Sequence, residues 1–183
     1  MNTLTATPGQ TIGPFFGYAL PFDRGNELVP PGSPDAIRLY GTVTDGAAEP
    51  VPDALLEIWQ ADRDGNVPAA TGSFRRDGWT FTGWGRAETD ADGYYSFTTV
   101  RPGTPPQATP FIAVTVCARG LLDRLFTRAY LPGDQLYEDQ LLGSVPADRR
   151  HTLIATPDAH GFRFDIRLQG AEETVFLHYR GHP

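Results

Sequence analysis

Short apolar stretches, alternating or continuous and separated by turns rich in Gly, Pro and Asp, recur from residue 37 to residue 179. Ile37 to Thr44 (IRLYGTVT) alternates and closes on Asp45-Gly46, which predicts a half-buried strand and a tight turn. Leu55 to Ala61 (LLEIWQA) follows the Pro52-Asp53 turn and ends at Asp62-Arg63-Asp64-Gly65, with Glu57 and Trp59 on one face and Leu56, Ile58 and Gln60 on the other. Residues 66–83 read as a long polar loop. Trp84 to Thr89 and Tyr94 to Val100 flank Asp90-Ala91-Asp92-Gly93, a pattern that predicts a hairpin. Pro110 to Gly120 (PFIAVTVCARG) is almost wholly apolar and predicts a central strand buried on both faces. Phe111, Ala113, Thr115, Cys117 and Arg119 fall on one side of it. Leu125 to Leu131 predicts a further strand, Gln135 to Leu142 a short helix, and His151 to Ala155, Phe162 to Leu168 and Thr174 to Tyr179 three late strands.

Eight or nine short strands at this spacing predict an all-β chain, a β-sandwich of mostly antiparallel strands. The 20 Gly and 17 Pro of the 183 residues agree with a turn-rich fold, and the length allows one domain with a full core. Residues 1–36 hold six Pro and five Gly and predict an extended N-terminal arm ahead of a domain over 37–183. Phe15, Phe16, Tyr18 and Phe22 give that arm an apolar surface that needs cover, from this domain or from a partner subunit.

Charge and composition remove several function classes. A net charge of -7 with scattered basic residues disfavours nucleic acid and anionic membranes as partners. No apolar run approaches the ~20 residues that cross a bilayer. The N-terminal stretch has neither a charged nor an apolar leader segment, and with one cysteine the expectation is a cytoplasmic protein. Cys117 reads as a small buried hydrophobe, and the Asp62 and Asp90 segments as turns without the remaining ligands of a calcium loop. His151, His160, His178 and His182 show no metal-ligand spacing, and Ser73, Ser96 and Ser144 lack a nucleophile-elbow context. Taken alone, the residues show no catalytic constellation. Arg119 is the exception in character, since an arginine at the end of an apolar strand calls for an anionic counterpart.

Four stretches together resemble the intradiol ring-cleaving dioxygenases. They are Thr7 to Phe16 (TPGQTIGPFF), Glu57 to Asp62 (EIWQAD), Thr89 to Phe97 (TDADGYYSF) and Phe162 to Gly170 (FRFDIRLQG), in order over nearly the whole chain. The resemblance implies an oxidoreductase of aromatic catabolism in which ferric iron, held by two tyrosines and a His-x-His pair, binds a catecholate. The ring then reacts with O2 and opens between its hydroxyl-bearing carbons. Hard phenolate oxygens suit iron(III).

Laid on that pattern, the four ligand positions fall at or near Val67, Pro105, Phe111 and Ala113, none of which ligates a metal through its side chain. The chain therefore resembles the iron-free subunit of the two-subunit enzymes in this family, which cleave 3,4-dihydroxybenzoate. The Fe(III) would belong to a homologous beta subunit. The resemblance further implies that Thr11, Gly13 and Pro14 of the arm, together with Arg119, line the partner's substrate pocket. An ordinary interface salt bridge is the plainer reading of Arg119. Two other readings of the chain are a stand-alone β-sandwich binding module and an intradiol enzyme for another catechol.

Overall fold

The computed structural model describes residue 13 and residues 15–69, 74, 76–104, 109–133, 136 and 139–179. Two sheets face each other. One has the order β4-β1-β8-β7, with β9 also paired to β1, and the other the order β3-β2-β5-β6. The strands are β1 (Ala36–Thr44), β2 (Leu55–Gln60), β3 (Trp84–Glu88), β4 (Tyr94–Val100), β5 (Ile112–Cys117), β6 (Leu125–Ala129), β7 (Thr156–Asp158), β8 (Gly161–Arg163) and β9 (Ile166–Arg167). Among the described residues lie also two short helices, α1 (Phe16–Ala19) and α2 (Gln140–Ser144), and a 3-10 turn at Arg150–Leu153. Leu39, Val43, Leu56, Ile58, Phe97, Ile112, Val114 and Val116 fill the space between the sheets, each essentially inaccessible to water. An all-β sandwich is thus the architecture, as the turn-separated apolar pattern predicts.

Several elements depart from the sequence reading. The strands on either side of Asp90 form no hairpin, because β3 pairs with β2 while β4 pairs with β1 in the opposite sheet. The Asp90 turn is therefore an arch between layers. Its local bonds are as expected, with the Asp90 carboxylate accepting from the backbone N–H groups of Asp92 and Tyr94. Short-range patterning cannot separate a hairpin from an arch, because both need the same turn and the same alternation.

The strand β5 is buried on one face only. Ile112, Val114 and Val116 point into the core, whereas Ala113, Thr115 and Cys117 are half-covered on the outer face. His151 to Ala155 is mostly the 3-10 turn, with a single bridge from Ile154 to Tyr130. Phe162 to Leu168 is interrupted, since the Asp165 carboxylate replaces a backbone acceptor and takes hydrogen bonds from the Thr42 N–H and hydroxyl. Thr174 to Tyr179 forms no strand and is attached by isolated bonds, such as that from the Leu177 N–H to the Phe126 carbonyl at 2.7 Å. Of the span Gln135 to Leu142, helix α2 takes only the end, capped by Asp139, whose side chain accepts from the Leu142 N–H. Gln135 lies outside the described residues.

The segment ahead of β1 is bonded to the strands, beginning with the Leu20 carbonyl, which accepts from the Arg86 guanidinium at 2.8 Å. Thr98 donates its N–H to the Asn26 carbonyl and Arg86 to the Gly25 carbonyl, both at 2.9 Å, and Leu28 enters the core. Gln60 joins the two sheets. Its amide donates to the Val100 carbonyl at 2.9 Å and the Ala61 carbonyl at 3.1 Å, and its oxygen accepts from the Thr99 hydroxyl at 2.8 Å. Gln60→Leu fills the same space but strands three buried polar groups, so a loss of about 2–3 kcal/mol is expected by urea denaturation. A loss under ~0.5 kcal/mol would show that these groups find other partners.

Candidate functional site

Of the residues singled out by sequence, Phe111, Ala113 and Arg119 lie on or beside β5, at its two ends. At one end, Phe111 leads into β5 and Ala113 lies opposite Trp59 of β2 and Arg128 of β6. Phe111 packs against a small cluster of Tyr130, Leu142, Val145 and Leu153. The Arg128 guanidinium lies 3.8 Å from the centre of its ring and also donates to the Tyr130 hydroxyl at 3.2 Å. The Tyr130 hydroxyl in turn donates a hydrogen bond to the Asp139 carboxylate at 3.0 Å, and burial pushes the phenol up to about 12. This corner is a packed hydrocarbon and cation–π arrangement. It does not suit a ferric ion, because Phe111 and Ala113 offer no donor atom and Arg128 places a positive charge over them. Val67 stands apart in the loop after β2, largely exposed, and Pro105 lies outside the described residues.

At the other end, β5 stops at Cys117 and the chain turns at Arg119-Gly120. Burial pushes the Cys117 thiol up, away from the reactive thiolate. Arg119 is 57% exposed, and its Nη2 lies 3.6 Å from Oδ2 of Asp53 in the turn before β2. The antiparallel register of β2 with β5, which sets Leu55 against Cys117, is what brings these two turns together. The same turn supports the arm. At Gly17 of α1 an added Cβ would stand 3.1 Å from both Cβ and the carbonyl oxygen of Asp53, so α1 lies directly on it. Gly13 precedes Gly17 by four residues, within ~14 Å of chain, and adopts a φ of +77°. Thr11 and Pro14 lie outside the described residues. The structure therefore sets Arg119 and Gly17 against one residue, Asp53, and leaves Arg119 roughly 20 Å of strand from Ala113.

Sequence reasoning passed over Asp53 and Gly17. VPDA reads as a turn and nothing more, and no local signal ties it to an arginine 66 positions later. Only the strand register does so.

A family model described as Dioxygenase matches residues 12–170. A protocatechuate 3,4-dioxygenase alpha chain of Burkholderia cepacia is 39% identical, over 97% of this chain and 99% of its own. The chain belongs to the intradiol dioxygenase family. It is thereby part of an enzyme, a subunit of an intradiol dioxygenase, and the family is iron-dependent. A protocatechuate 3,4-dioxygenase beta chain of the same organism is 32% identical over 85% of this chain and 74% of its own length, so two kinds of chain resemble this one. Among solved structures, the dioxygenase domain of a carbohydrate-binding fusion protein from Streptomyces sp. SirexAA-E superposes with a TM-score of 0.60. It is 28% identical and covers 91% of this chain and all of that one.

Among the described residues, no group of three or more His, Cys, Asp or Glu side chains is placed to hold a metal ion. No helix among them is long and apolar enough to cross a membrane.

Proposed function

We propose that this chain is the iron-free, alpha-type subunit of a protocatechuate 3,4-dioxygenase, working in the cytoplasm with a homologous beta-type subunit that holds the Fe(III). The reaction inserts both atoms of O2 into 3,4-dihydroxybenzoate between its hydroxyl-bearing carbons and yields 3-carboxy-cis,cis-muconate. On this reading the ligand positions of the metal-bearing chain correspond here to Val67, Pro105, Phe111 and Ala113. Residues 1–36 act as an arm, and Thr11, Gly13, Pro14 and Arg119 contribute to the wall of the partner's substrate pocket.

The observation that carries the reading is the corner around Phe111. The side chains at 111 and 113 are hydrocarbon, and the Arg128 guanidinium caps the Phe111 ring where a metal-bearing chain needs imidazole nitrogens and an open coordination position. Support for the pocket role comes from the opposite end, where an exposed guanidinium and the arm share one turn. Arginine suits a substrate that carries a carboxylate, because its planar fork meets both carboxylate oxygens.

Co-expression with a beta-type chain tests the assignment. The expected product is a stable complex with one iron per alpha–beta pair and ring-cleaving activity, while this chain alone binds no stoichiometric iron. Iron in the isolated chain, or a chain that stays monomeric beside the beta type, would overturn it. In the active complex, Arg119→Ala is expected to lower kcat/KM by roughly tenfold or more with iron content unchanged.

A further inference from the structure

Asp53 neighbours both Arg119 and, at Gly17, the segment that carries Gly13. It stands at the tip of the turn before β2 in a left-handed conformation, with φ at +63°, a region that aspartate and asparagine enter more readily than other non-glycine residues. The turn is locked from below by Thr89, whose hydroxyl accepts from the Ala54 N–H and donates to the Val51 carbonyl, each at 2.8 Å. Above it lies Gly17, so close that a side chain there would press on the Asp53 backbone and Cβ. The Asp53 side chain is 25% exposed. One oxygen, Oδ1, is buried and accepts no hydrogen bond, and the other faces Arg119.

We propose that Asp53 is a positioning residue: its carboxylate orients the Arg119 guanidinium, and the arm, seated on Asp53 at Gly17, is held in register with it. This rests on the reading of Arg119 as part of the partner's substrate pocket. An arginine anchored by the buried Ala118 but otherwise exposed samples many rotamers, and a fixed carboxylate at 3.6 Å narrows them. The contact uses one nitrogen edge of the guanidinium, which leaves other N–H donors for an anionic substrate. A desolvated carboxylate oxygen without a donor is costly to keep, and the guanidinium beside it offsets part of that cost.

The sign of one measurement separates positioning from simple charge balance. Asp53→Asn keeps the shape and the backbone preference while adding one unit of positive charge to the site. If Asp53 served only as a counter-charge, its loss would strengthen the attraction for a carboxylate-bearing catechol and lower KM. Positioning predicts the opposite. In the alpha–beta complex, KM for 3,4-dihydroxybenzoate should rise about three- to tenfold and kcat stay within about twofold, since orientation of the substrate suffers more than the chemistry. Assembly and iron content should be unchanged. In an Arg119→Ala background, Asp53→Asn should have no further effect, the mark of one residue acting through another. Gly17→Ala supplies an independent arm, displacing the helix from Asp53 without altering either charge, and should raise KM in the same direction even if Asp53→Asn fails to assemble.

A KM that is unchanged or lower in Asp53→Asn overturns the positioning role, as does an equal rise with and without Arg119. If Arg119→Ala alone raises KM, only the positioning role falls. If Arg119→Ala itself leaves KM unchanged, the pocket reading of Arg119 falls and takes the positioning role with it.

Discussion

Gly41→Ala is expected to remove about 3–5 kcal/mol, a large share of the ~5–15 kcal/mol that holds a domain of this kind together. Gly41 lies in the middle of β1, opposite Tyr95 of β4. On its other side passes the segment between β8 and β9, and an alanine Cβ would stand 2.1 Å from the Phe164 carbonyl oxygen and 2.6 Å from its carbon. Neither can retreat easily. The Phe164 N–H donates to the Tyr40 carbonyl at 2.7 Å, its carbonyl accepts from the buried Tyr95 hydroxyl, and Asp165 is fixed to Thr42. Backbone is being pushed, not the end of a flexible side chain, so accommodation means breaking the β1–β8 or β1–β9 pairing. A urea-denaturation midpoint will measure the loss. A change below ~1 kcal/mol would mean that the crossing segment shifts freely and that the bonds around Phe164 are not holding it.

The second large effect is expected at Arg76. Its Nη2 donates to the Gly25 carbonyl at 2.9 Å and the Trp84 carbonyl at 2.8 Å, with longer contacts to the Arg24 carbonyl and the Thr82 hydroxyl at 3.3 Å. The guanidinium also lies 5.3 Å from the centre of the Phe22 ring, which stacks on Trp84. One side chain thus joins the loop, the arm and the edge strand β3, and burial draws its pKa down, with the neighbouring Arg24 charge acting in the same direction. Arg76→Ala leaves carbonyls around Gly25 and Trp84 without a donor and removes the cation from the aromatic stack. A loss of roughly 2–4 kcal/mol is expected. Limited proteolysis should show cleavage around residues 20–30 well before the sandwich itself is cut. If the arm stays protected, the bonds of Gly25, Asn26 and Leu28 suffice without Arg76.

Much of the fold is legible from local patterning. Alternation in IRLYGTVT and LLEIWQA, together with Asp-Gly and Pro-Asp turns, marks β1 and β2 to within a residue. The mistakes have a common cause. Trp84–Glu88 and Tyr94–Val100 look like the arms of a hairpin, yet they lie in different sheets because β4 finds its partner in β1, some 50 residues earlier. Phe162 to Leu168 has the composition of one strand, and the Asp165 side chain breaks it by competing for Thr42. The half-exposure of Ala113, Thr115 and Cys117 was invisible too, since a continuous apolar run says nothing about which face another layer covers.

The candidate site divides in the same way. The sequence determined the residue types: hydrocarbon at Phe111 and Ala113, an arginine after the apolar strand, and an aromatic arm rich in Gly and Pro. Those are properties of single positions, and chemistry can be read from them directly. The tertiary structure alone decided which positions meet. The β2–β5 register sets Asp53 beside Arg119, the fit of Gly17 seats the arm on the same turn, and the β5–β6 register swings Arg128 over Phe111. Each of these contacts joins residues far apart in the chain. Their energy comes from burying both sheets against one core, and that sum belongs to no local stretch of sequence.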